Sequence, residues 1–261
     1  AASAGMYGSL PEEKIQEETA DMKRNALLNY NRLPMEKAYN VRELGGYAAR
    51  KGSVTKYHQF LRTDNLTDIT EEDKNFLLNY GLRAVIDLRG REETLIYPNP
   101  FREHPEVTYI NLPFITDTVL DMRAVKEEGF KPEVFYINLV EYKDMVVQLF
   151  RFILAHEEGC VLFHCQAGKD RTGILAMLLL GICGVSKEDI IANYQVSHTY
   201  LKDHVELRIH DGLEELEYSK PEWIEAAYDH VITEYGSFRN YLLEAGLRKK
   251  EIRKIRRKLV L

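Results

Sequence analysis

The sequence predicts an α/β domain with a central, mostly parallel sheet flanked by helices. Short apolar runs such as LRAVIDLR and GCVLFH alternate with longer stretches at helical spacing, the pattern of parallel strands joined by crossover helices. GCVLFH leads through the polar loop CQAGKDR into the apolar helix TGILAMLLLGICG, a strand–loop–helix unit. The 261 residues suffice for one large domain with a full core, and no repeat, low-complexity segment or linker divides them.

Residues 11–31 (PEEKIQEETADMKRNALLNYN) have the spacing of an amphipathic helix. It is expected within an N-terminal addition over residues 1–38, with the main domain over 39–261. In YNVRELGGY the pair Gly45–Gly46 marks a turn. YHQFLRTDNL reads as a strand running out into a loop. Thr70-Glu-Glu-Asp73 opens a helix as a capping box with Asp in place of the usual Glu, and Gly81 suits its C′ position. LRAVIDLR is a buried strand with Asp87 and Arg89 toward its C-terminal end, and VTYINLPF is another strand. Residues 133–156 repeat apolar positions at helical spacing. Ser186-Lys-Glu-Asp189 starts a further helix beyond TGILAMLLLGICG. Residues 199–235 are charged and helical in pattern, with Pro221 placed at a helix start. GLRKKEIRKIRRKLVL is a basic helix.

Hydrophobic residues make up 45% and charged residues 29%, as in ordinary globular chains. The net charge of -6 argues against general nucleic-acid binding. The longest apolar run, around Ile174 to Gly184, is too short to cross a bilayer and reads as a buried helix. AASAGMYGSL has no charged n-region and no apolar h-region, so no signal peptide is expected in the chain as given, and the compartment stays open. Cys160, Cys165 and Cys183 make no disulfide framework. Along an extended strand Cys160 and Cys165 lie roughly 16 Å apart, too far to bridge. Cys165 therefore has no evident resolving partner.

The chemistry concentrates in VLFHCQAGKDRTG, residues 161–173. Ligands of open α/β sheets sit at the C-terminal ends of strands. The loop runs into a helix N-terminus, where unpaired N–H groups and the helix dipole favour an anion. Consecutive N–H groups in such a loop form a concave nest, and Gly168 permits the unusual dihedrals this needs. Arg171 can bind two phosphate oxygens at once, and Lys169 adds a second positive charge. The same field favours the Cys165 thiolate, which then attacks without a separate base. The Thr172 hydroxyl is placed to hydrogen-bond the sulfur, and His164 to brace the loop backbone. A nucleotide P-loop is excluded, because its first glycine falls on Phe163 and Asp170 follows Lys169. The local cysteine signature of papain-like proteases is absent. A merely structural buried cysteine does not account for C-x5-R-T-G on a strand–loop–helix.

This stretch resembles the cysteine-dependent phosphatases with a C-x5-R loop, here Cys165 to Arg171. HCQAGKDRTG is most similar to the atypical bacterial tyrosine phosphatases, a branch acting on phosphotyrosine and on phosphoinositides. NVRELGGY, FLRTDNL, AVIDLRGREE and YGSFRNYLLEAGL resemble further elements of that branch in matching order, over roughly residues 39–250. The resemblance implies the tyrosine phosphatase fold with extra helices. It implies that Cys165 attacks phosphorus to form a phosphocysteine. Arg171 and the loop amides of Gln166, Ala167, Gly168, Lys169 and Asp170 would bind the phosphate oxygens and stabilise the transition state, and Thr172 would support thiolate departure. No metal or other cofactor is implied.

The general acid is less evident. The W-P-D motif of typical members is absent, since the one tryptophan is Trp223, downstream. Three aspartates remain, in the order Asp170, Asp87, Asp117. Each also has a structural role open to it: Asp170 orienting a loop amide, Asp87 pairing with Arg89 or Arg62. Lys169 either meets an extra inositol phosphate, as in lipid phosphatases of the phosphatase-and-tensin type, or simply adds to the loop's field.

The basic tail carries eight Lys or Arg between Arg248 and Lys258. Peripheral contact with an anionic membrane is one reading. A docked helix with a solvated basic face is favoured, because Ile252, Ile255 and Leu259 share a face. Residues 199–235 suit either a helical lid over the site or a peripheral helical layer. His198, His204 and His210 lack compact metal-ligand spacing. The expected function is hydrolysis of phosphotyrosine by a cysteine-dependent tyrosine or dual-specificity phosphatase, with phosphoinositides as a further substrate class. The competing readings are a phosphate-binding pseudophosphatase, against which Cys165, Arg171 and Thr172 all stand intact, and a rhodanese-like sulfur transferase, whose loop need not end in Arg-Thr-Gly.

Overall fold

In the computed structural model, which describes residues 21–116, 120–204 and 214–261, five strands form one sheet. They are β1 (Arg42–Glu43), β2 (Phe60–Thr63), β3 (Leu82–Asp87), β4 (Thr108–Asn111) and β5 (Cys160–His164). Their spatial order is β1-β2-β5-β3-β4. Only the edge strand β1 runs antiparallel; β2, β5, β3 and β4 are mutually parallel. The mostly parallel sheet expected from the alternating pattern is therefore present.

The side chains of each central strand alternate between two cores, as the period of two requires. Phe60, Ile86, Val161 and Phe163 face a larger core, and Leu61, Val85, Cys160 and Leu162 a smaller one. Both faces are buried, which is why these strands read as continuous apolar runs. The smaller core is closed by α1 (Glu71–Asn79) through Phe76 and Leu77. Ala26, Leu33 and Ala38 are buried in it too, so part of the stretch expected as an N-terminal addition contributes to the core. Residues 21–26 are helical, whereas 27–31 of the expected helix form a turn and irregular chain; the part up to residue 20 lies outside the described residues.

The helices that follow are α2 (Arg91–Ile96), α3 (Met122–Glu128), α4 (Pro132–Glu141), α5 (Lys143–Ala155), α6 (Asp170–Cys183), α7 (Lys187–Leu201), α8 (Pro221–Tyr235), α9 (Phe238–Ala245) and α10 (Lys249–Leu259). The helical run over 133–156 is two helices, because Tyr142 takes a non-helical ψ of 58° between them. The Thr70–Asp73 capping box forms in both directions, and Gly81 takes φ +105° past the helix end. Pro221 begins α8 and Ser186 caps α7. α6 is buried almost throughout and reads apolar on every side for that reason. The tail helix α10 docks through Ile252, Ile255 and Leu259, each at most 2% exposed. Among the described residues no helix is long and apolar enough to cross a membrane.

The register brings the site together. His164 at the end of β5 stands opposite Thr63 of β2 and Asp87 of β3. The loops leaving these three parallel strands converge at one edge of the sheet, as open α/β topology demands.

Candidate active site

The loop of residues 165–169 joins β5 to α6. Gly168 takes φ +65°, and a Cβ there would stand 2.2 Å from the Thr63 carbonyl oxygen, so both conformation and space require glycine. The loop thus lies directly on the end of β2.

The loop carbonyls are held from behind. His164 O accepts from Leu88 N at 2.8 Å and Gln166 O from Asn65 N at 2.9 Å. Ala167 O accepts from Asn40 Nδ2 at 2.9 Å. Gly168 O accepts from Arg62 Nη2 at 2.8 Å, and Lys169 O from Gly173 N at 2.7 Å. Cys165 O lies 3.0 Å from His164 Nδ1. A carbonyl only accepts, so Nδ1 carries the ring proton and Nε2 accepts from Asn99 Nδ2 at 2.9 Å. With the carbonyls fixed outward, the planar peptide units direct their N–H groups toward the inside of the loop. The brace expected of His164 is present.

The holders are themselves held. Asp64 accepts the amides of Tyr39 and Asn40 at 3.0–3.1 Å. Arg42 donates to Asn40 O at 2.8 Å and to Asn193 O at 2.7 Å, and so ties β1 to α7. Arg62 Nη1 donates to Asn193 Oδ1 at 2.7 Å. Burial pulls the Arg62 guanidinium down to about 10, partly offset by Cys165.

Cys165 is 2% exposed, and Thr172 Oγ1 donates to its sulfur at 3.1 Å, as the spacing of the loop had indicated. Arg171 donates to Glu93 through both terminal nitrogens, at 2.7 and 3.1 Å. Burial opposes the Arg171 charge; Cys165 and then Glu93 outweigh it and hold the guanidinium ionised. A nest of inward amides closed by a fixed guanidinium is suited to a tetrahedral oxyanion.

The remaining expected residues fall in different places. Asp170 is 8% exposed; its Oδ1 accepts from both Tyr136 OH and Lys169 Nζ. Tyr136 OH in turn lies 2.6 Å from Tyr194 OH. Asp170 is thus occupied by side chains rather than by the loop amide envisaged for it. Lys169, 1% exposed, points at Asp170 with the rings of Trp223 and Tyr194 at 5.4 and 5.8 Å. α8, from the stretch considered as a lid, therefore packs beside the loop; residues 205–213 lie outside the described residues. Asp87 is fully buried, with Arg89 at 2.7 Å and Tyr109 OH at 3.0 Å. Burial opposes its charge, but His164 and Arg89 outweigh it and hold the carboxyl below its ordinary range. Its partner is Arg89; Arg62 is engaged at the loop. Asp117 and His210 lie outside the described residues. His198 Nδ1 donates to Glu217 O at 3.2 Å, and His204 stacks on Tyr39 at 3.4 Å.

Sequence reasoning passed over Glu93, Asn40, Asp64, Asn65, Tyr136 and Tyr194. Glu93 alone had a local signal, since it stands three residues after Gly90 at a helix start and accepts the Gly90 amide at 2.6 Å. The others act across 24 to 127 residues of chain.

Residues 33–261 match the family model described as tyrosine phosphatase family. A tyrosine-protein phosphatase of Nostoc commune is 29% identical over 216 residues, covering 77% of this chain and 74% of that one. The triple specificity protein phosphatase PtpB of Mycobacterium tuberculosis is 28% identical over 270 residues, covering 84% of this chain and 95% of its own. The match runs through the loop, its holders and the helices behind them: the chain belongs to the tyrosine phosphatase family and is a phosphatase.

Proposed function

We propose that this phosphatase hydrolyses phosphotyrosine in two steps through a phosphocysteine on Cys165. In the first step the sulfur attacks phosphorus and the bond from phosphorus to the tyrosyl oxygen breaks. The loop amides from Gln166 to Arg171 and the Arg171 guanidinium carry the charge on the three phosphoryl oxygens. Asp170 gives its proton to the leaving phenolate. In the second step water attacks phosphorus and gives a proton to Asp170, the S–P bond breaks, and Thr172 stabilises the departing thiolate. The single observation that carries this reading is the holding of the loop carbonyls Ala167 O and Gly168 O by Asn40 and Arg62 beside a sulfur that accepts from Thr172.

Asp170 is the acid in this reading because it stands at the loop with Oδ1 fixed by Tyr136 and Lys169, which leaves Oδ2 for the transferred proton. Asp87, enclosed and paired with Arg89, holds the β3 end instead. Lys169, turned onto Asp170, serves the acid rather than an extra inositol phosphate. We accordingly place phosphotyrosine ahead of phosphoinositides. PtpB of Mycobacterium tuberculosis carries the name triple specificity phosphatase, and a phosphoinositide panel therefore belongs in the test.

The experiment is phosphate release from a phosphotyrosine peptide and from phosphoinositides without added metal, comparing the unaltered chain with Cys165→Ser and Asp170→Asn. Turnover lost in Cys165→Ser and strongly reduced in Asp170→Asn is the expected result. Phosphate binding without turnover of any substrate would mean a binding module instead.

A further inference from the structure

At the end of the sheet opposite Cys165, two adjoining cavities of about 550 and 680 Å³ form one groove. They share Lys56, Arg253 and Arg257, and nine of the chain's 35 lysines and arginines line them. The chain as a whole is acidic, with 41 Asp and Glu, yet the described lining carries one side-chain carboxylate, Glu157. Lys254 already pairs with that carboxylate.

The groove is built rather than merely charged. Its wall is α10, fixed by its buried apolar face, with Lys56 N donating to Leu259 O at 2.7 Å. Lys56 Nζ donates to Arg257 O at 2.7 Å, and Lys258 Nζ to Gly159 O at 2.7 Å. These amines are held in place before any ligand arrives, which lowers the entropic cost of binding. Arg256, which also lines the groove, keeps its Nε buried and without a hydrogen-bond acceptor among the described residues.

We infer that this groove is a docking site for an acidic peptide segment of a protein partner, remote from the phosphate loop. The charge selects polyanions. The concave shape suits a chain laid along the helix, not a flat bilayer. From Lys250 to Leu261 the wall is about 16 Å long, the span of roughly five extended residues. The position also decides between partners. Gly159 and Lys56 precede β5 and β2, whereas Cys165 follows the other end of β5. A membrane bound here would face away from the loop, so the surface does not present lipid to the site. The tail's membrane reading gives way to a protein partner on this argument.

The test titrates a fluorescein-labelled ten-glutamate peptide into the full chain, and into Arg253→Glu/Arg257→Glu, over a range of salt. Both side chains are exposed and lie outside the phosphate loop, so turnover of p-nitrophenyl phosphate stays unchanged in the variant. Expected are binding that weakens as salt rises and a loss of at least ~10-fold in the variant. Vesicles of phosphatidylcholine and phosphatidylserine in equal parts form the second arm. Vesicle binding without peptide binding overturns the proposal, as does peptide binding that the charge reversal leaves intact, or no binding at low salt.

Discussion

Glu93 grips Arg171 with both carboxylate oxygens, at 2.7 and 3.1 Å, while the Gly90 amide donates to the same carboxylate at 2.6 Å. The pair fixes the plane of the guanidinium before any phosphate arrives. Arginine binds phosphate well only when that plane is correctly set.

Glu93→Ala should therefore leave Arg171 charged but free to swing. The expected loss in kcat/KM is about 10- to 100-fold, with Glu93→Gln, which keeps one acceptor, intermediate. Steady-state kinetics on p-nitrophenyl phosphate check this. Equal activity in Glu93→Ala and the unaltered chain would remove Glu93 from the site.

Gly168→Ala places a Cβ 2.2 Å from Thr63 O at a φ of +65°. The contact is with backbone, which has no rotamer to yield. We expect a loss of about 2–3 kcal/mol in stability together with loss of turnover. Urea unfolding and phosphatase assay on the same preparation measure both.

Asn40→Ala removes the donor to Ala167 O at 2.9 Å and leaves that carbonyl, and Gly168 O in part, without it. The cost is about 1–3 kcal/mol, the usual penalty for a buried unsatisfied polar group. Because the loop loses its outward hold, the inhibition constant for vanadate or inorganic phosphate should rise as well. A stability change with no change in anion affinity would confine Asn40 to the core.

Tyr136→Phe deletes a donor to Asp170 while keeping the ring. If Asp170 protonates the leaving oxygen, the damage must grow as the leaving group becomes a poorer one. Turnover of phenyl phosphate should fall more than that of p-nitrophenyl phosphate. A uniform decrease over both substrates argues that Tyr136 supports only the loop's structure.

Glu43 is buried on β1 and accepts from His58 N at 2.6 Å and Tyr80 OH at 2.8 Å. Burial pushes its carboxyl up to about 7, against those hydrogen bonds. In the unfolded chain a glutamate titrates near 4.3. Between these values the folded chain holds a proton that the unfolded chain has lost, so stability falls as pH rises through the window, by about 4 kcal/mol in all. Urea midpoints at about pH 5 and pH 8 should differ in that direction, and Glu43→Gln should narrow the difference.

Much of this architecture was legible before any coordinates. Cys165, Arg171 and Thr172 announce themselves because their spacing and the strand–loop–helix context are local. Thr70, Ser186 and Gly81 are legible for the same reason, as caps read within four residues. The split at Tyr142 was hidden, since both helices keep the apolar spacing. The holders of the loop were hidden more deeply. Asn40, Arg62 and Tyr136 reach it across 127, 106 and 34 residues, and nothing in a polar residue's neighbours says which distant carbonyl or carboxylate it will meet. Asp87 illustrates the converse: it stood at a strand end where acids act, with Arg89 or Arg62 as its open partners, and the fold selects Arg89 and adds Tyr109.

The long reach from Asn40 and Arg62 to the loop carbonyls also sets an order in time. During synthesis the donors leave the ribosome well before the segment they will hold, because chains grow from the N-terminus. They must wait, unpaired, until β5 slots between β2 and β3. The catalytic pocket consequently has no life as a fragment: it closes only once β5 is in place between β2 and β3, and it opens when β5 works loose. For this protein, enzymatic turnover is a direct gauge of whether the whole sheet has closed.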